Sequence, residues 1–295
     1  MSTLISAIGF GCVTAAILAI AAVGFTLQFS VSNVLNLAFG SVMTTCGFVA
    51  YALNSHGINI WICVVIAAGA GGLLSLGLNS LLYGPFIRHG TNLFGMVIVT
   101  IATALIIDRT TQAIVGPGFF SYVVGSSQAV RFADFVLTPE QIATIVLALA
   151  AMGTIHWLLR YTRMGKSMRA LASNVSLARA CGIPTRRVAN IAWVTSGLLG
   201  GVAGVLLFID TTTFSATSGS GFLIVVIAAA VVGGIGSPYG AMAGAFLVGV
   251  TSEVAAAYWN PELKDVVAFG LLAAILLVRP KGIFAEIATE KEVVG

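Results

Sequence analysis

An all-α, polytopic transmembrane bundle of about eight to nine spans, with a helical loop on its cytoplasmic side, is the fold class this 295-residue sequence predicts. Three observations predict it. Apolar residues make up 58% of the chain and charged residues only 8%, whereas roughly a quarter of a soluble globular domain is charged. Several apolar runs reach the roughly 20 residues that cross about 30 Å of hydrocarbon as helix. Seven of the fourteen basic residues crowd into 160–187, a stretch without Asp or Glu, and short loops rich in Lys and Arg are retained on the cytoplasmic side.

In order along the chain, the spans are read at 5–27, 34–53, 60–82, 92–115, 139–159, 189–208, 222–235, 239–257 and 264–279. The chain opens apolar, without a basic leader or a small-residue cleavage site, so the first span is expected to be retained. All seven prolines, Pro85, Pro117, Pro139, Pro184, Pro238, Pro261 and Pro280, fall at or near span boundaries, where a missing N–H does least harm. The fifth span carries its own start signal, Thr138 as cap, Pro139 at the first helical position and Gln141 completing a Thr-x-x-Gln capping box. The seventh is too short to cross upright and reads as broken or tilted.

The basic stretch from Arg160 to Arg187 is placed inside the cell, and Arg279 and Lys281 place the C-terminal tail there too. Four spans separate the two regions, an even number, as the topology requires. Counting back, Arg88 and His89 fall inside and the N-terminus outside. This orientation accounts for the net charge of +4 better than nucleic acid does, because half the positive charge sits in one loop and the aromatic residues lie in the apolar runs.

No metal, cofactor or disulfide framework is expected. Cys12, Cys46, Cys63 and Cys181 lack paired spacing and read as packing residues. His56, His89 and His156 are scattered singly near span ends, and neither His-Glu-x-x-His nor Gly-x-Ser-x-Gly occurs, which argues against a membrane enzyme. The pairs Gly197 and Gly201, Gly200 and Gly204, and Gly240 and Gly244 are spaced for close helix approach, read as packing inside one bundle ahead of a dimer seam.

Asp108, Arg109, Asp210 and Glu253 are read at the outer ends of their spans, as interfacial anchors or an Arg109 to carboxylate pair ahead of direct solute contact or a part in receiving the binding protein. The polar residues in apolar context are the better pathway candidates: Asn33, Asn36, Phe39, Ser41 and Thr44 around Gly40, and Thr213 and Ser215 within the polar stretch 211–220. Irregular polar backbone at depth is tolerated where it is buried in protein or lines a cavity.

Within the basic loop, Met164-Gly165-Lys166-Ser167 looks like the end of a phosphate-binding loop. That motif needs Gly five residues before Gly165, where Arg160 stands, and a preceding strand, so the chain does not hydrolyse nucleotide by that route. Two short helices are predicted instead, 166–173 and 175–181, with Asn174 capping the second, Gly182 closing it and Pro184 stopping it. A folded helix pair with basic flanks suits docking into a groove on another protein, the alternative being a loop that only fixes topology or touches anionic lipid.

At these residues the sequence resembles a family. Arg163-Met164-Gly165-Lys166-Ser167-Met168-Arg169-Ala170, then Asn174, Ala178-Arg179 and Gly182-Ile183, is similar to the coupling loop of ABC importer permeases of the branched-chain amino-acid type. Gly24-Phe25-Thr26-Leu27 with Asn33 to Gly40, Ala228 to Val232 with Gly233-Gly234-Ile235-Gly236-Ser237, and Lys264-Asp265 with Arg279 to Phe284 resemble further signatures of that family in the same order.

The resemblance implies a single permease domain over 1–295, half of a translocation pathway, in a bacterial inner membrane. It implies no cofactor and no nucleic acid. Its partners would be a second related permease subunit, two cytoplasmic ATP-binding subunits and an extracytoplasmic solute-binding protein. Arg163, Gly165, Lys166, Met168, Arg169, Leu171, Asn174, Leu177, Arg179 and Gly182 would then couple to the ATPase, with Met168, Leu171 and Leu177 as the apolar contact. Branched-chain amino acids are the first candidate solutes, and urea, short amides or aromatic acids the alternatives. The family commonly has His where Phe39 stands and Arg where Gly84 precedes Pro85, departures that bear on the solute. A secondary transporter is the rival from another class, and would need an ionisable group near the midplane.

Overall fold

The computed structural model describes residues 2–123, 130–132, 135–260, 263–279 and 282–284. Pro261, Pro280 and Lys281, used above as boundary and topology markers, lie outside them. Twelve α-helices carry the described residues: α1 (Ser2–Ser32), α2 (Phe39–Ser55), α3 (Ile60–Gly77), α4 (Gly84–Arg88), α5 (Leu93–Val115), α6 (Pro139–Tyr161), α7 (Arg163–Ser173), α8 (Val175–Ala180), α9 (Thr185–Thr211), α10 (Ser218–Gly233), α11 (Pro238–Tyr258) and α12 (Lys264–Val278). A short antiparallel hairpin, β1 (Val130–Phe132) with β2 (Phe135–Leu137), precedes α6.

Among the described residues, six helical segments are long and apolar enough to cross a membrane: Ser6–Ser32, Ile60–Ile87, Leu93–Val115, Pro139–Tyr161, Thr185–Thr211 and Pro238–Tyr258. The shorter α2, α10 and α12, of 17, 16 and 15 residues, stand where spans two, seven and nine were read. The fold is therefore the expected all-α polytopic bundle, and its span count turns on these three.

Boundaries follow local chemistry. The capping box before α6 forms as expected: the Gln141 amide donates to Thr138 Oγ1 at 3.3 Å and the Thr138 amide to Gln141 Oε1 at 3.0 Å. At α11, Ser237 Oγ accepts from the Gly240 amide at 3.1 Å, with Pro238 at the first helical position. Pro85 departs from the boundary reading. The chain stays helical from Ile60 to Ile87 and passes through a π-helical turn, Leu78–Tyr83, just before Pro85. Proline has no N–H and its ring crowds the carbonyl four residues earlier, so the widened turn absorbs the defect.

Two compact units divide the chain. The first comprises Met1–Thr26, Gly125–Gly153 and Ile224–Gly295. In it, α1 and α11 meet backbone to backbone, for a side chain at Gly249 would reach Ala15 Cα at 2.6 Å and one at Gly11 would reach Val250 Cα at 3.0 Å. Glu253 joins three elements, accepting from Thr14 Oγ1 at 2.9 Å and from Lys264 Nζ at 2.6 Å. Gly240 and Gly244 lie against Gly233 and Ala229 of α10. Residues 282–284 return to that helix end, the Ile283 and Phe284 amides donating to Val232 and Gly233 carbonyls.

The second unit comprises Leu27–Val124 and Thr154–Leu223, and α9 is its axis. One stripe of α9 faces α3: Gly197 lies on the Gly71 carbonyl and Ser75, and Gly201 on Ala67 and Ala68. The next stripe faces α2: Gly200 receives the ring of Phe39, and Gly204 lies on the Met43 carbonyl. All three glycine pairs thus pack within the chain, as read from their spacing. Helices this close make dispersion contacts along their backbones, the main source of association in lipid.

Candidate translocation and coupling site

Two segments of the second unit depart from helix in the same way. The long helix α1 ends at Asn33, which takes a positive φ of 52°, and α9 ends at Thr212, with φ of 60°. A non-glycine residue there is uncommon and marks a position the surroundings over-determine. Each is followed by irregular residues and then by a short helix, α2 after Asn33 and α10 after Thr212.

The first break is held by buried polar groups. Asn36 is 1% exposed, and its Oδ1 accepts from the Tyr83 hydroxyl at 3.2 Å and from the Ala38 amide at 3.2 Å. Its Nδ2 donates to Gln28 Oε1 at 3.3 Å, and Ser196 Oγ donates to the same oxygen at 3.1 Å. Val34, Tyr83, Met96 and Trp193 pack together below. Thr100 Oγ1 donates to the Leu35 carbonyl at 3.0 Å, and Thr100 lies seven residues into α5, about 10 Å from its start. Asn33 is exposed at the same break.

The second break brings α10 onto α2. Gly40 and Gly219 touch through their backbones, a side chain on either meeting the other's carbonyl at 2.5 Å. The Gly219 amide donates to Thr44 Oγ1 at 3.0 Å, and Ser220 Oγ lies 3.2 Å from Ser41 Oγ. Ser41 also donates to the Ala104 carbonyl of α5 at 3.2 Å, and Ser220 donates to Asp108 Oδ2 at 2.7 Å. A polar crossing of α2, α5 and α10 results, inside an apolar bundle. Toward the far ends of α2 and α9 it is capped by aromatic rings: Phe208 and Phe214 stack at 4.1 Å, with Phe48, Tyr51, Phe120 and Tyr122 around them.

Of the residues the sequence offered for the pathway, the structure brings Ser41 and Thr44 together at this crossing and puts Asn36 at the neighbouring break. Phe39 is fully buried against Gly200. Thr213 is exposed in the turn after α9, and Ser215 shares hydroxyl contacts with Thr217 and Ser218. The residues of that stretch that reach the crossing are Gly219 and Ser220. Gln28 and Tyr83 are the residues here that the sequence reading does not single out. An amide inside an apolar run is the available signal for Gln28, while Asp108 stands among the span charges for which anchoring is favoured over solute contact. Arg109, its neighbour, donates to Gln112 of its own helix at 2.8 Å, and Glu253 pairs with Lys264.

The basic loop folds as two helices, as expected. Thr162, not singled out by sequence, caps α7: its Oγ1 accepts from the Gly165 amide at 3.0 Å. Asn174 caps α8, accepting from the Leu177 amide at 2.9 Å, and Gly182 closes it with φ of 78°. Gly165 is a packing position rather than a phosphate cradle, since a side chain there would strike the Leu158 and Leu159 carbonyls at the end of α6. Arg169 is tied back as well, donating to the Leu159 carbonyl. Thr162→Ala should cost α7 about 1 kcal/mol, read as roughly fivefold faster amide hydrogen exchange at Gly165.

The apolar docking contact needs correcting. Met168 and Leu171, assigned to it above, are 1% and 3% exposed; they face the chain's own packing and hold the loop together. Leu177 is 62% exposed and Val175 46%. Lys166, Arg179, Asn174 and Gly182 are exposed around them, and Arg163 at the start of α7. An apolar patch on α8 within a basic rim is what this loop presents.

A polytopic helical bundle with a polar crossing at two broken helices and a folded basic loop is the architecture of a transport permease. The chain belongs to the family described as branched-chain amino acid transport system / permease component, whose model matches residues 7–276. It is 30% identical over 291 residues, 92% of each chain, to the high-affinity branched-chain amino acid transport system permease protein LivH of Salmonella typhimurium. It is 29% identical to the corresponding permease protein BraD of Pseudomonas aeruginosa, over 92% of this chain and 93% of that one. A solved structure, PsaBC from Streptococcus pneumoniae in complex with Fab, shares the fold with a TM-score of 0.52 at 14% identity, covering 94% of both chains. The chain is thus a multi-pass membrane permease subunit of an ABC transport system, a class that works with ATPase and binding-protein partners.

Proposed function

We propose that this chain forms half of the pathway of an importer for branched-chain amino acids. The whole of 1–295 serves as one permease domain, beside a second related permease subunit. Two ATP-binding subunits dock on the cytoplasmic loop, and a solute-binding protein delivers from outside. In this reading the chain sits in a bacterial inner membrane with its N-terminus outside and its C-terminus inside, the orientation favoured by the basic loop and Arg279. The observation that carries it is the similarity to LivH and BraD along nine-tenths of the chain.

Coupling is assigned to Arg163, Lys166, Asn174, Val175, Leu177, Arg179 and Gly182, with Gly165, Met168, Arg169 and Leu171 holding the loop in shape. Ser41, Thr44 and Ser220 border the route, and Asn33, Asn36, Phe39, Thr213 and Ser215 flank it along the two breaks. The chain reconstituted with its partners in vesicles should take up leucine, isoleucine and valine only with ATP inside and binding protein outside. Uptake by the chain alone, driven by an ion gradient, would instead make it a secondary transporter.

A further inference from the structure

Asp108 lies on α5 seven residues before Val115, about 10 Å inside the helix end at 1.5 Å per residue. It is 9% exposed. Its Oδ2 is occupied by the Ser220 hydroxyl at 2.7 Å, while Oδ1 is buried and has no hydrogen-bond partner. Among the described residues no Lys, Arg or His forms an ion pair with it. A carboxylate at such depth is costly unless it is paired or has work to do.

The surroundings say what would pair with it. Around Asp108 stand the hydroxyl oxygens of Ser41 and Ser220, 3.2 Å apart, and the Ala104 carbonyl, to which Ser41 donates. Ser41 and Ser220 stand in the first turns of α2 and α10. This is an acceptor-rich corner with one free carboxylate oxygen. A primary ammonium supplies three donors and no acceptor, one for Asp108 Oδ1 and the others for the two serine hydroxyls. The corner also sits where the two broken segments meet through Gly40 and Gly219.

We infer that Asp108, with Ser41 and Ser220, is the station that receives the ammonium group of the solute during its passage. This rests on the amino-acid reading given above, and it assigns the polar end of the solute to a particular carboxylate.

The test uses the full complex in vesicles, with labelled leucine as probe. Asp108→Asn keeps the shape and an acceptor for Ser220 but removes the charge. ATP-driven leucine uptake should fall at least tenfold while the melting temperature of the purified complex stays within about 3 °C of wild type, and Asp108→Glu should recover part of the uptake. Normal uptake by Asp108→Asn would overturn the station and leave the importer reading standing. Uptake and melting temperature falling together, in Asp108→Asn and Asp108→Glu alike, would overturn it in favour of a structural role. Wild-type complex that moves no amino acid would overturn the importer reading and the station with it.

Discussion

Leu177→Asp is expected to cut ATP-driven uptake at least tenfold and to release the ATPase subunits from the purified complex, with the permease still inserted and folded. The side chain is 62% exposed on α8, so little of the chain's own packing depends on it. Full burial of a leucine in a partner's groove contributes about 1.5–3 kcal/mol, which is roughly a ten- to hundredfold change in affinity, and a carboxylate in that groove would remain desolvated and unpaired. Leu171→Asp separates this outcome from collapse of the loop. Leu171 is 3% exposed, and a charge there disrupts the seat of α7, lowering the yield and melting temperature of the permease itself. Copurification of ATPase subunits at wild-type level with Leu177→Asp would remove α8 from the docking face.

Gly197→Val should abolish accumulation of folded protein. A side chain at Gly197 would strike the Gly71 carbonyl and Ser75 Oγ, and neither backbone can yield without prising α9 from α3. Overpacking costs about 1–3 kcal/mol even where side chains can adjust, and here the clash is with backbone, so the loss exceeds that range. Gly153→Val is the matched control, since nothing lies within 4 Å of a side chain there, and it should accumulate normally. A Gly197→Val protein with unchanged melting temperature would mean that α3 and α9 are not in backbone contact.

The helices were legible because length, hydropathy and caps agree along most of the chain. The starts of α6, α8 and α11 are each set by a side chain that binds a first-turn amide. What was not legible is where a span begins after a break. The sequence runs apolar through Val34, Leu35, Leu37 and Ala38, yet helix resumes only at Phe39, because the Asn36 side chain captures the Ala38 amide and ties the segment to Gln28 and Tyr83. Those ties come from residues 8 and 47 positions away, which no local pattern reveals. The same holds for the face that the basic loop presents. Helical spacing groups Met168 with Leu171, but which neighbour covers an apolar face is a tertiary fact, and here the chain covers it. Asp108 illustrates the converse, an acid whose meaning depends on Ser220, 112 positions away.

The aromatic cap over the crossing has an electrical consequence. Phe48, Phe120, Phe208 and Phe214 present uncharged rings, which offer a permeating ion little to replace its water. Dehydrating an ion against hydrocarbon costs at least several kcal/mol. If the proposed route runs past this cap, the rings would add to the barrier an ion meets, and vesicles carrying the idle complex should hold an imposed membrane potential.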